Sequence, residues 1–252
     1  MGLVVASLLV AGMQAADFDH SHAEWTALLK ENVSLDGAIS RVDYGSVRRQ
    51  RAPLDGYLRS LSSVSRTVFD SWTGDQQLAF LINAYNGFTM ELIVDNYPVD
   101  SIKDLGGWMS SPWKKKFFVL LGRKRNLDDI EHGMIRKNFN EPRIHFAVNC
   151  ASLGCPPLRS EAFVADRLDE QLEDNSRTFL NDARRNRFDA AANKLYLSSI
   201  FKWYGKDFVK KHGSVEAFVA PLLASAAASS QVASRSVRVA FLDYDWRLND
   251  RK

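Results

Sequence analysis

The segment from Leu78 to Tyr97 constrains the fold most, because it is apolar on almost every side of a helix. Thr73 and Gln76 have the residue types and spacing of an N-terminal capping box, and Pro98 stops the helix. A helix that is apolar all round must be buried. The chain is therefore predicted to fold around this helix.

Two amides, Asn83 and Asn86, interrupt the segment three residues apart, so both lie on one flank of the helix. Buried amides need hydrogen-bond partners. Either they fix neighbouring backbone or they line a functional site, and the sequence leaves both roles open.

The chain has 252 residues, 46% of them hydrophobic, which is enough to bury a full core. One domain over residues 17–252 is expected, with two small domains as the alternative. Alternating helical and extended segments predict an α/β or α+β fold, with a mixed sheet covered by helices. The other predicted elements are helices over 18–29 and 54–61 and strands over 117–121, 144–148, 195–200 and 237–242.

The net charge is only +3, and the basic runs are scattered among acids, so no nucleic-acid partner is expected. Residues 1–16 are apolar from Leu3 to Met13 and end in small residues, as in a signal peptide. This predicts export to the periplasm or the extracellular space. The apolar run is too short to span a bilayer, so stable membrane insertion is not expected.

The two cysteines, Cys150 and Cys155, lie close together in CASLGC. In an oxidising compartment they can form a disulfide. A free pair with one reactive thiol is the second interpretation. A zinc site with His132, His145 or Glu131 is the third, although the spacing matches no paired-cysteine zinc motif.

Which histidine can activate a cysteine depends on the predicted strand over 144–148. In a strand, the odd spacing of His145 and Cys150 puts their side chains on opposite faces, about 16 Å apart. His132 comes from a separate helix, predicted to be capped by Asp128, and meets no such obstacle. We therefore expect His132 to serve Cys150. The turn could instead bring Cys155 back toward His145, so that pairing stays open.

Cys150, rather than Cys155, is predicted to be the functional thiol. It ends the predicted strand, where backbone N–H groups would point at its sulfur and lower its pKa. Cys155 lies between Gly154 and Pro156, and proline has no N–H to donate.

Five motifs together resemble domain of unknown function family 547. In chain order they are LINAYNGFTMELIVDNYP, NLDDIEHGMIRK, PRIHFAVNCASLGCPPL, LSSIFKWYGKDF and FLDYDWRLN. The resemblance implies a secreted bacterial protein or a module of a larger eukaryotic chain, and an architecture akin to papain-like cysteine enzymes. The motif residues it carries over are Asn83, Tyr85, Asn86, Glu131, His132, His145, Cys150 and Cys155.

The leading functional hypothesis is a thiol-dependent enzyme, a hydrolase or transferase that acts on an amide or thiol compound without a cofactor. Cys150 would attack and His132 would act as base. An asparagine, Asn83 or Asn86, would orient the imidazole better than Glu131, which points about 100° away from His132 on the helix. Asn149 or backbone N–H groups of the turn would form an oxyanion hole.

The remaining site residues are expected to bind an unknown small molecule or peptide. They are His145, Asn149, Cys155, Tyr85, Trp203 and Tyr204. The alternative is a non-catalytic extracytoplasmic binding module with a Cys150–Cys155 disulfide, and a zinc site is the second alternative.

Overall fold

The computed structural model describes residues 18–107, 110–234 and 236–251. The predicted signal peptide over 1–16 lies outside these residues. In the described part, the α-helices are α1 (Ala23–Asn32), α2 (Tyr44–Arg49), α3 (Ala52–Ser63), α4 (Arg66–Asp70), α5 (Gly74–Asn96), α6 (Arg136–Asn138), α7 (Leu168–Leu180), α8 (Ser199–His212), α9 (Val215–Val219) and α10 (Ala226–Ala233). The strands are β1 (Val33–Asp36), β2 (Ile39–Val42), β3 (Phe118–Leu120), β4 (Arg123–Arg125), β5 (Arg187–Asp189), β6 (Lys194–Ser198) and β7 (Arg238–Leu242).

Helix α5 forms as predicted and is buried along most of its length. The Thr73 hydroxyl accepts the Gln76 N–H at 3.2 Å, and the Gln76 side chain accepts the Thr73 N–H at 3.0 Å. This reciprocal capping box satisfies two N–H groups that the helix leaves free at its start. The burial prediction for this segment is confirmed.

The strands form small sheets, and the fold is α+β. Strands β1 and β2 pair as an antiparallel hairpin, and so do β3 and β4. Strand β6 lies between antiparallel β5 and parallel β7, with Lys194 opposite Arg238. Helix α8 begins directly after β6, so the strand fixes the position from which this helix leaves the sheet.

The strand predicted over 144–148 is wrong, because Pro142–Phe146 forms a 3-10 helix. Pro142 lies in its first turn, where proline is tolerated, and the Glu141 carboxylate accepts the Arg143 N–H at 3.1 Å. The alternating apolar pattern has another cause. Ile144 and Phe146 point into two different hydrophobic clusters, so the segment is apolar on two sides without being a strand.

The predicted cap at Asp128 is also wrong. Residues Asp129–Ile135 form a π-helix, and Asp128 makes no capping hydrogen bond. Instead the Asn126 side chain accepts the Asp129 N–H at 2.7 Å, while the Asp129 carboxylate accepts the Asn126 N–H at 3.2 Å. The start of this helix is therefore fixed two residues earlier than the sequence suggested.

The buried side chains form two clusters. The larger one surrounds α5, and the smaller one contains β6, α8 and α9. The 3-10 helix at Pro142–Phe146 contributes to both, so it joins the two clusters next to the cysteine loop. Among the described residues, no helix is long and apolar enough to cross a membrane.

Candidate functional site

A cavity of about 230 Å³ lies between the two hydrophobic clusters, and most of the predicted site residues line it. Its titratable lining includes Glu131, His132, His145, Cys150 and Cys155. Its aromatic lining includes Tyr85, Trp203 and Tyr204. The three predicted asparagines, Asn83, Asn86 and Asn149, are not among the lining residues.

Of the two histidines that line this cavity, His145 is the more buried. Its side chain is only 1% exposed, and its Nε2 lies 2.8 Å from Asp207 Oδ2. One face of the ring stacks on Tyr204, with the ring centroids 3.9 Å apart. The carboxylate and the phenol together fix the position and tilt of the imidazole.

The partners of His145 also determine which nitrogen carries its proton. Hydrogen bonds from His145 and Arg136 hold the pKa of Asp207 well below its usual range, so this carboxylate accepts and cannot donate. Nε2 must therefore bear the hydrogen. Burial lowers the pKa of His145, which keeps the ring neutral at neutral pH. The other nitrogen, Nδ1, is buried, has no partner among the described residues, and carries a free lone pair.

Arg136 also contacts the Asp207 carboxylate. Its Nε donates to Asp207 Oδ2 at 2.6 Å and its Nη2 to Oδ1 at 3.1 Å. The guanidinium also lies 5.0 Å from the centre of the Tyr204 ring. Two hydrogen bonds to one carboxylate fix its orientation, and with it the orientation of His145.

His132, the base that the sequence favoured, is less suited to that role. Its side chain is 41% exposed. Arg136 Nη1 donates to its Nδ1 at 3.0 Å, because a guanidinium can only donate. The strand argument against His145 rested on a strand that does not exist, and His145 lines the same cavity as Cys150.

The two cysteines are paired as a disulfide, with Cα atoms 6.3 Å apart. Cys155 is buried, whereas Cys150 is partly exposed. No hydrogen bond between the described residues joins an imidazole nitrogen to either sulfur. The sulfurs instead contact hydroxyl groups: Cys150 Sγ lies 3.4 Å from Ser152 Oγ and 3.3 Å from Tyr244 Oη.

Backbone N–H groups were predicted to point at the Cys150 sulfur, and this prediction is wrong. The Cys150 N–H donates to Cys155 Sγ at 3.0 Å. Tyr244 Oη also contacts Cys155 Sγ, at 3.1 Å. The bend of the CASLGC loop turns the N–H of the first cysteine toward the second sulfur.

Asparagines fix the cysteine loop from outside the cavity. Asn86 donates to the Ala147 carbonyl at 2.9 Å and accepts the Asn149 N–H at 2.8 Å. Asn149 in turn donates to the Pro156 carbonyl and accepts the Ala151 N–H, each at 2.8 Å. Asn83 binds elsewhere, to the N–H and carbonyl of Phe163. The side-chain amides of all three asparagines therefore form hydrogen bonds with backbone groups, and none of them orients a histidine.

The loop holds an uncommon backbone conformation directly after Cys150. Ala151 has a φ of 61°, the left-handed region that residues with a Cβ rarely adopt. Such a conformation persists only where the surroundings determine it. Here the Asn149 side chain accepts the Ala151 N–H, and the Ala151 carbonyl accepts the Asn249 N–H at 3.2 Å.

The sequence interpretation missed Asp207, Arg136, Ser152 and Tyr244 as site residues. One signal for Asp207 was available: it follows Tyr204 by three residues in FKWYGKDF, and so shares a helix face with an aromatic residue. Tyr244 had no comparable signal, because only the fold brings it to the cysteines.

The zinc interpretation finds no matching cluster. Within residues 18–107, 110–234 and 236–251, no group of three or more His, Cys, Asp or Glu is placed to hold a metal ion.

Comparison with known proteins gives one match. No curated protein and no solved structure matches the chain. The matching family model covers residues 69–180. This range includes α5 and both cysteines, as well as Glu131, His132 and His145, whereas Asp207 and Tyr244 lie beyond it. That family is described as protein of unknown function, DUF547, and residues 69–180 match its model, which supports the family resemblance predicted from the motifs.

Proposed function

We propose that this protein is a thiol-dependent enzyme in which Cys150 is the nucleophile and His145, oriented by Asp207, is the base. The supporting observation is that Cys150 and a neutral imidazole with a free, buried lone pair line one cavity. A nucleophile, a base and a carboxylate that orients the base are the parts that such chemistry needs. His145 takes the role of base that the sequence assigned to His132, since His132 Nδ1 already accepts a hydrogen bond from Arg136.

The reaction would begin from the reduced cysteine pair. Cys150 transfers its S–H proton to His145 Nδ1, and the sulfur attacks the carbonyl carbon of an amide or another acyl compound. The S–C bond forms, the bond to the leaving group breaks, and the leaving group takes the proton from His145. Water, an amine or a thiol then attacks the thioester, its proton passes to His145, and Cys150 departs as thiolate and is reprotonated.

Ser152 and Tyr244 are the groups best suited to stabilise the developing oxyanion. Their hydroxyls lie 3.4 Å and 3.3 Å from Cys150 Sγ, next to the carbon that this sulfur would attack. Asn149, the earlier candidate, is less suited because it does not line the cavity. Its side chain contacts the Pro156 carbonyl and the Ala151 N–H rather than the Cys150 sulfur.

The disulfide is then the resting form of the enzyme. A thiol reductant must supply two electrons and two protons to convert the Cys150–Cys155 bond into two thiols. Cys150, as the more exposed cysteine, is the one that an incoming thiolate reaches first.

The pairing of the sulfurs also favours a second candidate, a non-catalytic binding module whose disulfide braces the wall of the cavity. In that case reduction would loosen the loop without creating any chemical activity.

An active-site titration with p-nitrophenyl acetate separates the two candidates. The reduced protein should release p-nitrophenolate in a stoichiometric burst and carry an acetyl group on Cys150, whereas the oxidised protein should do neither. Cys155→Ser should retain the burst and Cys150→Ser should lose it. A reduced protein without a burst, or a burst that survives Cys150→Ser, would contradict the enzyme and favour the binding module.

A further inference from the structure

We propose that the substrate carries a protonated amine, and that Glu131 binds this group inside the cavity. The inference rests on the proposed function, because it names the substrate class of the same site. Its basis is separate from the cysteines: a buried carboxylate oxygen that no described residue satisfies.

Glu131 is 6% exposed at its side chain and lines the cavity. Its Oε1 atom is buried and has no hydrogen-bond partner among the described residues. Burial and the neighbouring Glu131 carboxylate raise the pKa of the Tyr204 phenol, yet Oε1 keeps no partner in the described part of the chain. A buried carboxylate oxygen without a partner is costly. A ligand that donates a charged hydrogen bond to it would remove that cost.

The two nearby basic side chains, His132 and Arg136, do not satisfy this oxygen. His132 Nδ1 is 3.8 Å away, and it carries no hydrogen to donate because it accepts from Arg136. The described hydrogen bonds of Arg136 go to His132 and Asp207. Among the described residues, Glu131 Oε1 is therefore free to accept a hydrogen bond from a ligand.

A second carboxylate, Asp128, lines the same side of the cavity as part of the segment that carries Glu131. Burial raises its pKa, since the site penalises its charge. Its nearest imidazole nitrogen, His132 Nε2, is 3.8 Å away. Two acids in one small cavity would attract a cation and repel a carboxylate.

Aromatic side chains supply the rest of the wall. Trp113, Trp203 and Trp246 all line the cavity. Faces of tryptophan rings attract ammonium groups, and Trp246 already has Lys103 Nζ at 4.7 Å from a ring centroid. Trp113 and Trp203 each pack against Trp246, with ring centroids 5.7 Å apart in both pairs, and both also line the cavity. An amine attached to a small apolar group fits both the acid and these walls.

Calorimetric titration with three probes of similar shape tests the inference: benzylamine, benzyl alcohol and benzoate. Benzylamine should bind at least about tenfold tighter than benzyl alcohol, and benzoate should bind weakest. Glu131→Gln, which keeps the shape of the side chain, should reduce benzylamine affinity about tenfold or more. Glu170→Gln, a change at an exposed helical glutamate outside the cavity, should leave it unchanged.

Several outcomes would overturn the inference: no binding of benzylamine, equal binding of amine and alcohol, tighter binding of benzoate, or undiminished binding by a folded Glu131→Gln. The probe comparison uses the unmodified protein, so it holds even if that variant does not fold. The titration requires no acyl transfer and is carried out on the oxidised protein. Binding of benzylamine without an acetylation burst would refute the enzyme but keep the amine site, and the reverse result would refute only the amine site.

Discussion

His145 Nε2 lies 2.8 Å from Asp207 Oδ2, although 62 residues separate the two along the chain. This contact makes His145 a candidate base, because an ionised carboxylate on one ring nitrogen leaves the lone pair on the other. The proposed chemistry of Cys150 depends on that lone pair.

Replacing Asp207 with asparagine tests the contact. The amide can donate to Nε2, which would move the hydrogen to Nδ1 and remove the base. The rate constant of the p-nitrophenolate burst should fall about a hundredfold, within the usual contribution of general bases. Asp169→Asn is the matched control, since Asp169 pairs with Arg143 and is 89% exposed. An unchanged burst in Asp207→Asn would show that the carboxylate does not orient the base.

Asn86 and Asn83 form a natural matched pair, because both are buried on α5 and each makes two hydrogen bonds to backbone. Each change to alanine should cost about 1–3 kcal/mol or more in the free energy of unfolding, since buried backbone groups lose their partners. Only Asn86→Ala should also slow the burst, because only Asn86 holds the cysteine loop. Equal burst rates in the two variants would argue against a positioning role for Asn86.

Gly154 is required by a close approach of two backbone segments. A Cβ at this position would meet the backbone N and O of Asp245, each at 3.0 Å. Gly154→Ala should therefore cost about 1–3 kcal/mol in chemical denaturation. Gly205→Ala is the control, since a Cβ there meets nothing within 4 Å. It lies within α8 and should stabilise by up to about 1 kcal/mol. Equal effects of the two substitutions would contradict the packing argument.

The sequence predicted those features of the site that depend on local pattern. The capping box and the all-round apolar pattern of 78–97 were sufficient to place α5 in the interior. Alternation over 144–148 was misleading, because Ile144 and Phe146 face two separate clusters rather than one side of a sheet. The pairing of His145 with Asp207 could not be read from the sequence, since it depends on how α8 packs against the 3-10 helix at Pro142–Phe146.

His22 should make stability depend on pH. Burial lowers its pKa to about 4, so between pH 6.5 and 4 the unfolded chain binds a proton that the folded chain does not. The contribution of the neutral His22 side chain to the free energy of unfolding is fully present above pH 6.5. About 3 kcal/mol of it is lost as the pH falls from 6.5 to 4. Urea denaturation at pH 7 and pH 5 should show a smaller loss in His22→Gln than in the unmodified protein.

Glu91 acts in the opposite direction and provides the control for that experiment. Burial raises its pKa to about 7, so the folded chain holds the extra proton and gains stability as the pH falls from 7. Glu91→Gln should therefore steepen the loss of stability on acidification. A slope that is insensitive to His22→Gln would refute the assignment to His22.

The most direct test of the central claim is the rate at which iodoacetamide alkylates each cysteine of the reduced protein, followed by peptide mass spectrometry. Cys150 should react before Cys155, because it is the more exposed cysteine. At neutral pH, His145→Gln should slow the alkylation of Cys150 about tenfold or more, and His132→Gln should change it little. Preferential labelling of Cys155, or a Cys150 rate that depends on His132 and not on His145, would contradict the account.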